Sequence, residues 1–288
     1  MENKWPTVQL PGYCEGTLAA SKDGRWIAMG SDADDRSVVV WDAKTFKSFF
    51  RHKENIQVRA VDFSPDSTRL VHASLASARQ TYTATIWDVA ARKKVLTLDH
   101  EGWVIAAKYS PQGDRIATAT HEFVRVWDSN DGRLLMDIPV TVTQYYNARL
   151  LWSNNHIFFI SDKKTLKQFE ASTGLAVSEW PIDTTTFLLG SCIALPQHGA
   201  FIAYSIDDTV TFWDTSSSLR SPSTQSTMSC RDVGSFYHAA NITTDISSRH
   251  TCIFSLETRA WSAATTSVQY NRSSMHEPKC ETWTDLSW

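Results

Sequence analysis

The sequence is poor in several features that mark particular classes of protein. Its five cysteines lie far apart, so no pair has the spacing of a metal site and no disulfide framework is implied. Its apolar stretches are well short of the ~18 residues that a membrane span needs. The N-terminus also lacks the apolar region of a secretory signal peptide. These absences predict a reducing compartment, cytoplasm or nucleus, and no membrane partner.

Motifs of the common enzyme classes are missing as well. The sequence contains no glycine-rich dinucleotide loop, no phosphate-binding loop and no Gly-x-Ser-x-Gly elbow, and its histidines lack the spacing of a zinc helix. Two carboxylate pairs, Asp34–Asp35 and Asp207–Asp208, lie in predicted tight turns, where Asp bonds the local backbone. The sequence therefore predicts no catalytic residues, no cofactor, no metal and no enzymatic activity.

The overall charge is close to balance. Lys and Arg number 28 against 31 Asp and Glu, which gives a formal net charge of −3. A general nucleic-acid binder would show a basic excess, so nucleic acid is not an expected partner. The hydrophobic content of 42% is that of a globular protein, and the twelve tryptophans are many for this length.

The positions of the tryptophans indicate an internal repeat. Trp-Asp pairs occur at 41–42, 87–88, 127–128 and 213–214, with spacings of 46, 40 and 86 residues. The last spacing is twice 43, which predicts one eroded copy between them, at Phe169–Glu170. Turn-forming clusters at 22, 65, 111, 154 and 196 repeat with the same period of about 43 residues. Each unit contains several short strands bounded by Pro, Gly, Asp and Ser, as in a four-stranded propeller blade.

These units resemble the blades of the WD-repeat β-propeller family, most closely over residues 58–88. The resemblance covers residues 10–220 and implies an all-β fold with about five legible blades, at about 10–50, 51–97, 98–140, 141–183 and 184–220. The expected propeller domain is therefore residues 1–220. Residues 221–288 have 23 Ser or Thr among 68 and no Trp-Asp pair. They are interpreted as a polar tail that is disordered, as a degenerate sixth blade, or as a mistaken gene end.

The family also implies a hydrogen-bonded set within each blade, because a buried indole N–H needs an acceptor such as Ser or Thr. The residues that the resemblance assigns to this structural role are Ser31, Asp35 and Trp41; His52, Ser74 and Trp87; His100, Thr120 and Trp127; and Ser205, Asp208 and Trp213.

Closure of the ring is left open by the sequence. The family closes its ring with a strand from the N-terminus, and residues 5–10 are the candidate to pair with the strand that ends at Trp213. Family propellers usually have seven blades. Five units therefore imply either a small ring or an arc that a partner or a second copy completes.

The predicted function is that of a protein–protein interaction scaffold. In the family, the face at the start of each first strand is a common docking surface. The equivalent residues here include Gln57, Trp103 and Tyr146, beside Cys14 and Leu188. The other interpretation of Trp103 and Tyr146 is packing between neighbouring blades. The alternative functions are a propeller enzyme, a propeller that binds a small ligand or glycan, and the sensor part of a larger multidomain protein.

Overall fold

The computed structural model is built from β-strands and short turns. It describes residues 7–8, 18–30, 36–54, 57–74, 82–141, 149–153, 155–161 and 165–181, together with the strands at 193–194, 201–206, 209–214, 228–229, 251–255, 260–264 and 283–284. None of these described residues forms a helix. The all-β fold expected from the repeat is therefore confirmed.

Most of the strands form four-stranded antiparallel sheets in chain order, here called sheets 1 to 5. Strand β1 (Thr7–Val8) precedes them. Sheet 1 contains β2 (Leu18–Ala20), β3 (Trp26–Gly30), β4 (Ser37–Asp42) and β5 (Ser48–Lys53). Sheet 2 contains β6 (Val58–Phe63), β7 (Arg69–Ser74), β8 (Tyr82–Asp88) and β9 (Lys93–His100). Sheet 3 contains β10 (Ala106–Tyr109), β11 (Arg115–Ala119), β12 (Phe123–Asp128) and β13 (Leu134–Pro139).

The same arrangement continues toward the C-terminus. Sheet 4 contains β14 (Arg149–Trp152), β15 (His156–Ser161), β16 (Thr165–Glu170) and β17 (Ala176–Pro181). Sheet 5 contains β18 (Ile193–Ala194), β19 (Phe201–Ile206), β20 (Thr209–Asp214) and β21 (Met228–Ser229). A hairpin follows, formed by β22 (Thr251–Ser255) and β23 (Ala260–Ala264), and the last strand is β24 (Trp283–Thr284). Five four-stranded sheets agree with about five legible blades, although the fifth sheet includes β21, beyond the expected bound of residue 220. Phe169 occupies the eroded Trp position in the fourth sheet.

The turn between the first two strands of a sheet is organised by serine. The Ser64 hydroxyl accepts a hydrogen bond from the Arg69 amide at 2.9 Å, and the Ser110 hydroxyl accepts one from the Arg115 amide at 3.0 Å. Each hydroxyl also donates to a turn carboxylate, Asp66 or Asp114. A turn residue that satisfies both the backbone and a neighbouring side chain explains why Ser recurs at these places.

The aspartates of the first three Trp-Asp pairs, Asp42, Asp88 and Asp128, organise the turns between the third and fourth strands. Asp42 accepts from the amides of Lys44 and Thr45 and from the Thr45 hydroxyl, and these bonds lower the pKa of Asp42. The residue five positions after the tryptophan, or after Phe169, has a left-handed backbone in sheets 1 to 4; these residues are Phe46, Arg92, Gly132 and Gly174. Two of the four are glycine, which adopts this conformation without steric cost.

Sheets 1 to 4 stack in sequence, with a hydrophobic core between each pair. Trp87 of sheet 2 packs with Phe50 and Trp26 of sheet 1, Trp127 of sheet 3 packs against sheet 2, and Phe169 of sheet 4 packs against sheet 3. Sheets 2, 3 and 4 therefore each present the ring at the Trp position to the preceding sheet. Burial of a ring of this size removes roughly 150–250 Å² of surface from water.

The expected strand exchange at the N-terminus is wrong in this structure. Thr7 and Val8 pair with Thr284 and Trp283, and not with the strand that ends at Trp213. The outer neighbour of that strand, β20, is β21, and the two strands pair at Thr209–Ser229 and Val210–Met228. The polar stretch after Asp214 gave no indication of this strand, because the chain returns to the sheet only fourteen residues later.

Candidate interaction surface

The two predicted docking residues that the structure describes lie just before the first strands of their sheets. Gln57 is half-buried, and its Oε1 accepts from Arg59 Nη2 at 3.0 Å. Trp103 is also half-buried, packs against the core between sheets 3 and 4, and places its ring 6.1 Å from the ring of His121. Trp103 thus combines a packing contact with an exposed part. Tyr146, like Cys14 and Leu188, lies outside the described residues.

A chain of hydrogen bonds connects the third and second sheets around Trp127. The Trp127 indole Nε1 donates to Thr118 Oγ1 at 2.8 Å, and the same oxygen lies 2.8 Å from His100 Nε2. The other ring nitrogen, His100 Nδ1, lies 3.0 Å from the Leu98 carbonyl oxygen. A carbonyl only accepts, so Nδ1 carries the proton, and the Thr118 hydroxyl donates to the bare Nε2. The side-chain polar groups of Trp127, Thr118 and His100 therefore all have hydrogen-bond partners.

The threonine in this chain differs from the expected one. The expected set consists of His100, Thr120 and Trp127, whereas Thr118 makes the contacts in the structure. Thr120 instead accepts from the amides of Glu122 and Phe123 in the following turn. Because residues two apart point to the same face of a strand, alternation alone does not separate the two threonines.

Protonation of His100 is unfavourable in this setting. Burial lowers the pKa of His100 to about 4, although its bond to the Leu98 carbonyl opposes the shift. A second proton on Nε2 would also remove the acceptor of the Thr118 hydroxyl. The neutral ring is therefore the form that suits the sheet 2–sheet 3 interface.

Sheet 2 contains a second chain of this kind, made from different residues. The Trp87 Nε1 donates to His72 Nδ1 at 3.1 Å, and His72 Nε2 lies 2.7 Å from Glu54 Oε1. Since Nδ1 accepts from the indole, Nε2 carries the proton that is donated to Glu54. Glu54 follows the last strand of sheet 1, so this chain ties sheet 1 to sheet 2. The bond from His72 lowers the pKa of Glu54 against the opposing effect of burial.

The acceptor in sheet 2 is thus His72, where the sequence pointed to Ser74. His52, the histidine expected in this set, lies beside it: its ring centroid is 4.5 Å from that of Trp87. Its Nε2 is 3.5 Å from Glu54 Oε1, and 40% of its side chain is exposed. Burial lowers the pKa of His52, because the ring is partly removed from water.

The two chains occupy equivalent positions in their sheets. Leu70 pairs with Trp87 and Ile116 pairs with Trp127, and the acceptor lies two residues after each. The third member precedes the acceptor by 18 residues in both chains. In sheet 3 the acceptor is a short threonine and its partner is a long histidine. In sheet 2 the acceptor is a long histidine and its partner is a glutamate. In sheet 4, Phe169 stands at the Trp position and Phe159 at the acceptor position, and both side chains are buried.

The remaining residues of the expected blade sets are described only in part. Trp41 is 1% exposed and packs with Leu18, Met29 and Val39. Ser31, Asp35 and Asp208 lie outside the described residues. Ser205 and Trp213 belong to β19 and β20, where Ser205 pairs with Val210 and Trp213 pairs with Ile202. The assignment of these residues to blade networks stays a prediction.

An ion pair joins the first strands of sheets 2 and 3. Lys108 Nζ lies 2.7 Å from Asp62 Oδ1, and the Tyr109 amide donates to Asp62 Oδ2 at 2.9 Å. Both side chains are less than one-quarter exposed, so solvent screens this pair less than a fully exposed one. The carboxylate thereby fixes the spacing of the two inner strands, and sequence analysis gave no sign of it.

The described part of the chain contains neither a metal cluster nor a helix that could cross a membrane. No group of three His, Cys, Asp or Glu side chains there is arranged to hold a metal ion. No helix there is long and apolar enough to cross a membrane. The polar groups that the described strands bury are engaged mainly in joining sheets and shaping turns.

Comparison with known proteins agrees with the repeat. The WD domain, G-beta repeat, matches residues 9–42, 43–88 and 92–128. A coronin-like protein of Saccharomyces cerevisiae is 26% identical over 166 residues, which cover 53% of this chain and 25% of that protein. The small ribosomal subunit protein RACK1y of Oryza sativa subsp. japonica is 26% identical over 149 residues, which cover 51% of this chain and 42% of that protein. The chain thus spans less than half the length of either relative.

Three matching repeats coincide with sheets 1 to 3 and with the Trp-Asp spacing. The order of the strands, the inter-sheet position of the tryptophans and the capping role of the aspartates agree with this match. The chain thus contains three WD repeats within residues 9–128, and it is similar over about half of its length to two WD-repeat proteins.

Proposed function

We propose that the protein is a non-catalytic scaffold that binds protein or peptide partners. The observation that carries this proposal is the use of the buried polar side chains: His72, His100 and Thr118 complete hydrogen-bond chains between sheets. Groups committed in this way stabilise a stiff stack of sheets. The surface of that stack is then the part free to vary.

The docking face proposed here is the one that carries Gln57, Trp103 and Tyr146, within a propeller domain of residues 1–220. Partly exposed Trp side chains are frequent among interface hot spots, where truncation often costs ~2 kcal/mol or more. Trp103 rests on the core between sheets 3 and 4, which holds its ring in place before a partner arrives.

The two relatives bear on the class of partner. One is named a small ribosomal subunit protein, so an assembly that contains RNA is a partner to test beside single proteins. The near-neutral charge supports protein partners over nucleic acid. We place the protein in the cytoplasm or nucleus. A propeller that binds a small ligand or glycan, and the sensor part of a longer protein, are the alternatives.

The test uses the full chain as bait, with proteins captured from a lysate identified and then purified for a binding assay. Trp103→Ala is compared with Trp180→Ala, since Trp180 is a half-buried tryptophan on the outer strand β17 of sheet 4. We expect Trp103→Ala to weaken binding about thirtyfold, the equivalent of ~2 kcal/mol, at nearly unchanged melting temperature. Lower stability with unchanged affinity in the folded fraction would assign Trp103 to packing and contradict the docking face.

A further inference from the structure

The outer edge of the stack is divided by charge. The third-to-fourth-strand turns and outer strands of sheets 1 and 2, residues 42–53 and 88–99, carry seven Lys or Arg and three Asp. The equivalent residues of sheets 3 and 4, 128–139 and 170–181, carry one Arg and five Asp or Glu. A chain with a net charge of −3 thus has a net +4 on one half of this edge and a net −4 on the other.

All seven of these cations are exposed, and Arg25 is exposed beside them. We call the eight residues the basic rim: Arg25, Lys44, Lys47, Arg51, Lys53, Arg92, Lys93 and Lys94. Within the described part of the chain, Lys44, Lys47, Arg92, Lys93 and Lys94 take part in none of the ion pairs, which involve other residues. The turn aspartates Asp42 and Asp88 are engaged by backbone amides.

Two arginines of the basic rim are held against aromatic rings. The Arg25 guanidinium lies 4.5 Å from the Trp26 ring centre, and the Arg92 guanidinium lies 4.1 Å from the Phe49 ring centre. The two rings contact each other, with centroids 4.4 Å apart. The result is a row of Arg25, Trp26, Phe49 and Arg92 that crosses from sheet 1 to sheet 2. A stacked guanidinium keeps its N–H groups at the edge of its plane, where they suit a carboxylate.

This row departs from the pattern of the neighbouring sheets. The residue at the start of the second strand is Arg69 in sheet 2 and Arg115 in sheet 3, and each bonds a carbonyl of the next sheet, of Ser129 and Ala171 respectively. The equivalent residue in sheet 1 is Trp26, paired with Asp42 as Arg69 is paired with Asp88. Sheet 1 therefore lacks that structural arginine bond and has instead an aromatic support for two exposed arginines.

We propose that the basic rim is a docking surface for an acidic, carboxylate-rich segment of a partner protein. The positive charge of the basic rim attracts carboxylates, and the stacked guanidiniums are already oriented to form paired hydrogen bonds with them. Val95, 42% exposed on β9 next to Lys94, adds an apolar contact among the cations, which a protein segment uses better than a sugar–phosphate chain. Six residues of the basic rim lie at the end of the sheets where the third and fourth strands are joined, namely Arg25, Lys44, Lys47, Arg92, Lys93 and Lys94, whereas Arg51 and Lys53 lie farther along β5, toward the end that carries Gln57. The row of Arg25, Trp26, Phe49 and Arg92 is therefore away from Gln57 and Trp103, so either surface can fail without the other.

The experiment measures binding of a fluorescein-labelled, glutamate-rich peptide with interspersed leucines to the full chain by anisotropy. The variant Arg25→Glu/Arg92→Glu is compared with Asp131→Lys/Glu179→Lys, which changes two exposed positions on the acidic half. We expect the first to weaken binding about tenfold, or ~1.4 kcal/mol, and the second to leave it unchanged or tighter. Arg92→Lys, which keeps the charge and loses the planar group, is expected to lie between wild type and the double variant.

Parallel measurements separate other occupants. Single-stranded RNA and phosphatidylcholine vesicles that contain phosphatidylserine replace the peptide, and sedimentation of the protein alone reports self-association. Tighter binding of RNA or vesicles with the same dependence on Arg25 and Arg92 would overturn the proposal, as would self-association that the double variant abolishes. Absence of peptide binding, or equal loss in both double variants, would overturn it as well. Melting temperatures confirm that each variant is folded.

Discussion

The hydrogen-bond chain of sheet 3 supports a sharp prediction about Thr118. The substitution Thr118→Val preserves the shape of the side chain and removes the hydroxyl that joins Trp127 to His100. Trp127 is 7% exposed and His100 is 8% exposed, so water cannot readily replace the missing partner. The indole N–H and His100 Nε2 are then both left unsatisfied in the core between sheets 2 and 3.

The magnitude follows from the cost of an unsatisfied buried group, which is about 1–3 kcal/mol. With two groups affected and partial relaxation, we expect Thr118→Val to lower the free energy of unfolding by about 2–4 kcal/mol. Thr118→Ser keeps the hydroxyl and loses only a methyl group, so we expect a loss of about 1 kcal/mol. Urea denaturation followed by tryptophan fluorescence measures these differences at constant pH.

The matched control is Thr120→Val, at a buried threonine that directly follows β11. Its hydroxyl accepts two turn amides and does not contact Trp127 or His100. We expect a loss of about 1 kcal/mol, as for a typical hydrogen bond. If Thr120→Val destabilises the protein as much as Thr118→Val, the hydrogen-bond chain described here is refuted.

Three further predictions concern other parts of the stack. Because the folded-state pKa of His100 is lowered to about 4, the unfolded chain binds a proton at this residue first as the pH falls, so the free energy of unfolding should decrease by on the order of 3 kcal/mol from pH 6.5 to 4. In urea titrations at each pH, His100→Gln should make that decrease smaller. Glu54→Leu should cost about 1–3 kcal/mol by stranding the proton of His72 Nε2, whereas Glu54→Gln, which retains an acceptor, should cost less than half as much. Gly174→Ala, at a φ of 73° with its new Cβ 3.0 Å from a neighbouring side-chain carbon, should lower stability by about 1–2 kcal/mol, while Gly102→Ala, with open space, should change it by under about 0.5 kcal/mol in thermal melts.

The repeat predicted the sheets well because it has two independent landmarks. The Trp-Asp pairs and the Ser-rich turns share one period, and both serve the same local structures, since Asp42 and Ser64 each cap a tight turn. Phe169 was identifiable as a worn copy because an aromatic ring still fills the space that the tryptophan fills elsewhere. Local, periodic features of this kind are visible in the sequence alone.

The polar contacts between sheets were harder to predict. Thr118 and Thr120 point to the same face of the strand, and only the position of His100 in space selects between them. Sheet 2 has His72 and Glu54 at the positions that Thr118 and His100 occupy in sheet 3, and the two changes in side-chain size compensate each other. The residue types expected for the family do not include this combination. The common 18-residue separation between the acceptor and its partner is the feature of the sequence that marks the two chains as equivalent. The N-terminal strand was misplaced because pairing partners far apart in sequence leave no periodic signal.

Hydrogen exchange of the full chain, followed by mass spectrometry, tests the central claim that sequential four-stranded sheets form one stiff stack. We predict slow exchange in the two middle strands of each of sheets 2 and 3, at 69–74, 82–88, 115–119 and 123–128, and rapid exchange in the turns at 64–68, 89–92, 110–114 and 129–133. Uniformly rapid exchange from 58 to 139, or protection that runs unbroken through the serine turns, would contradict it.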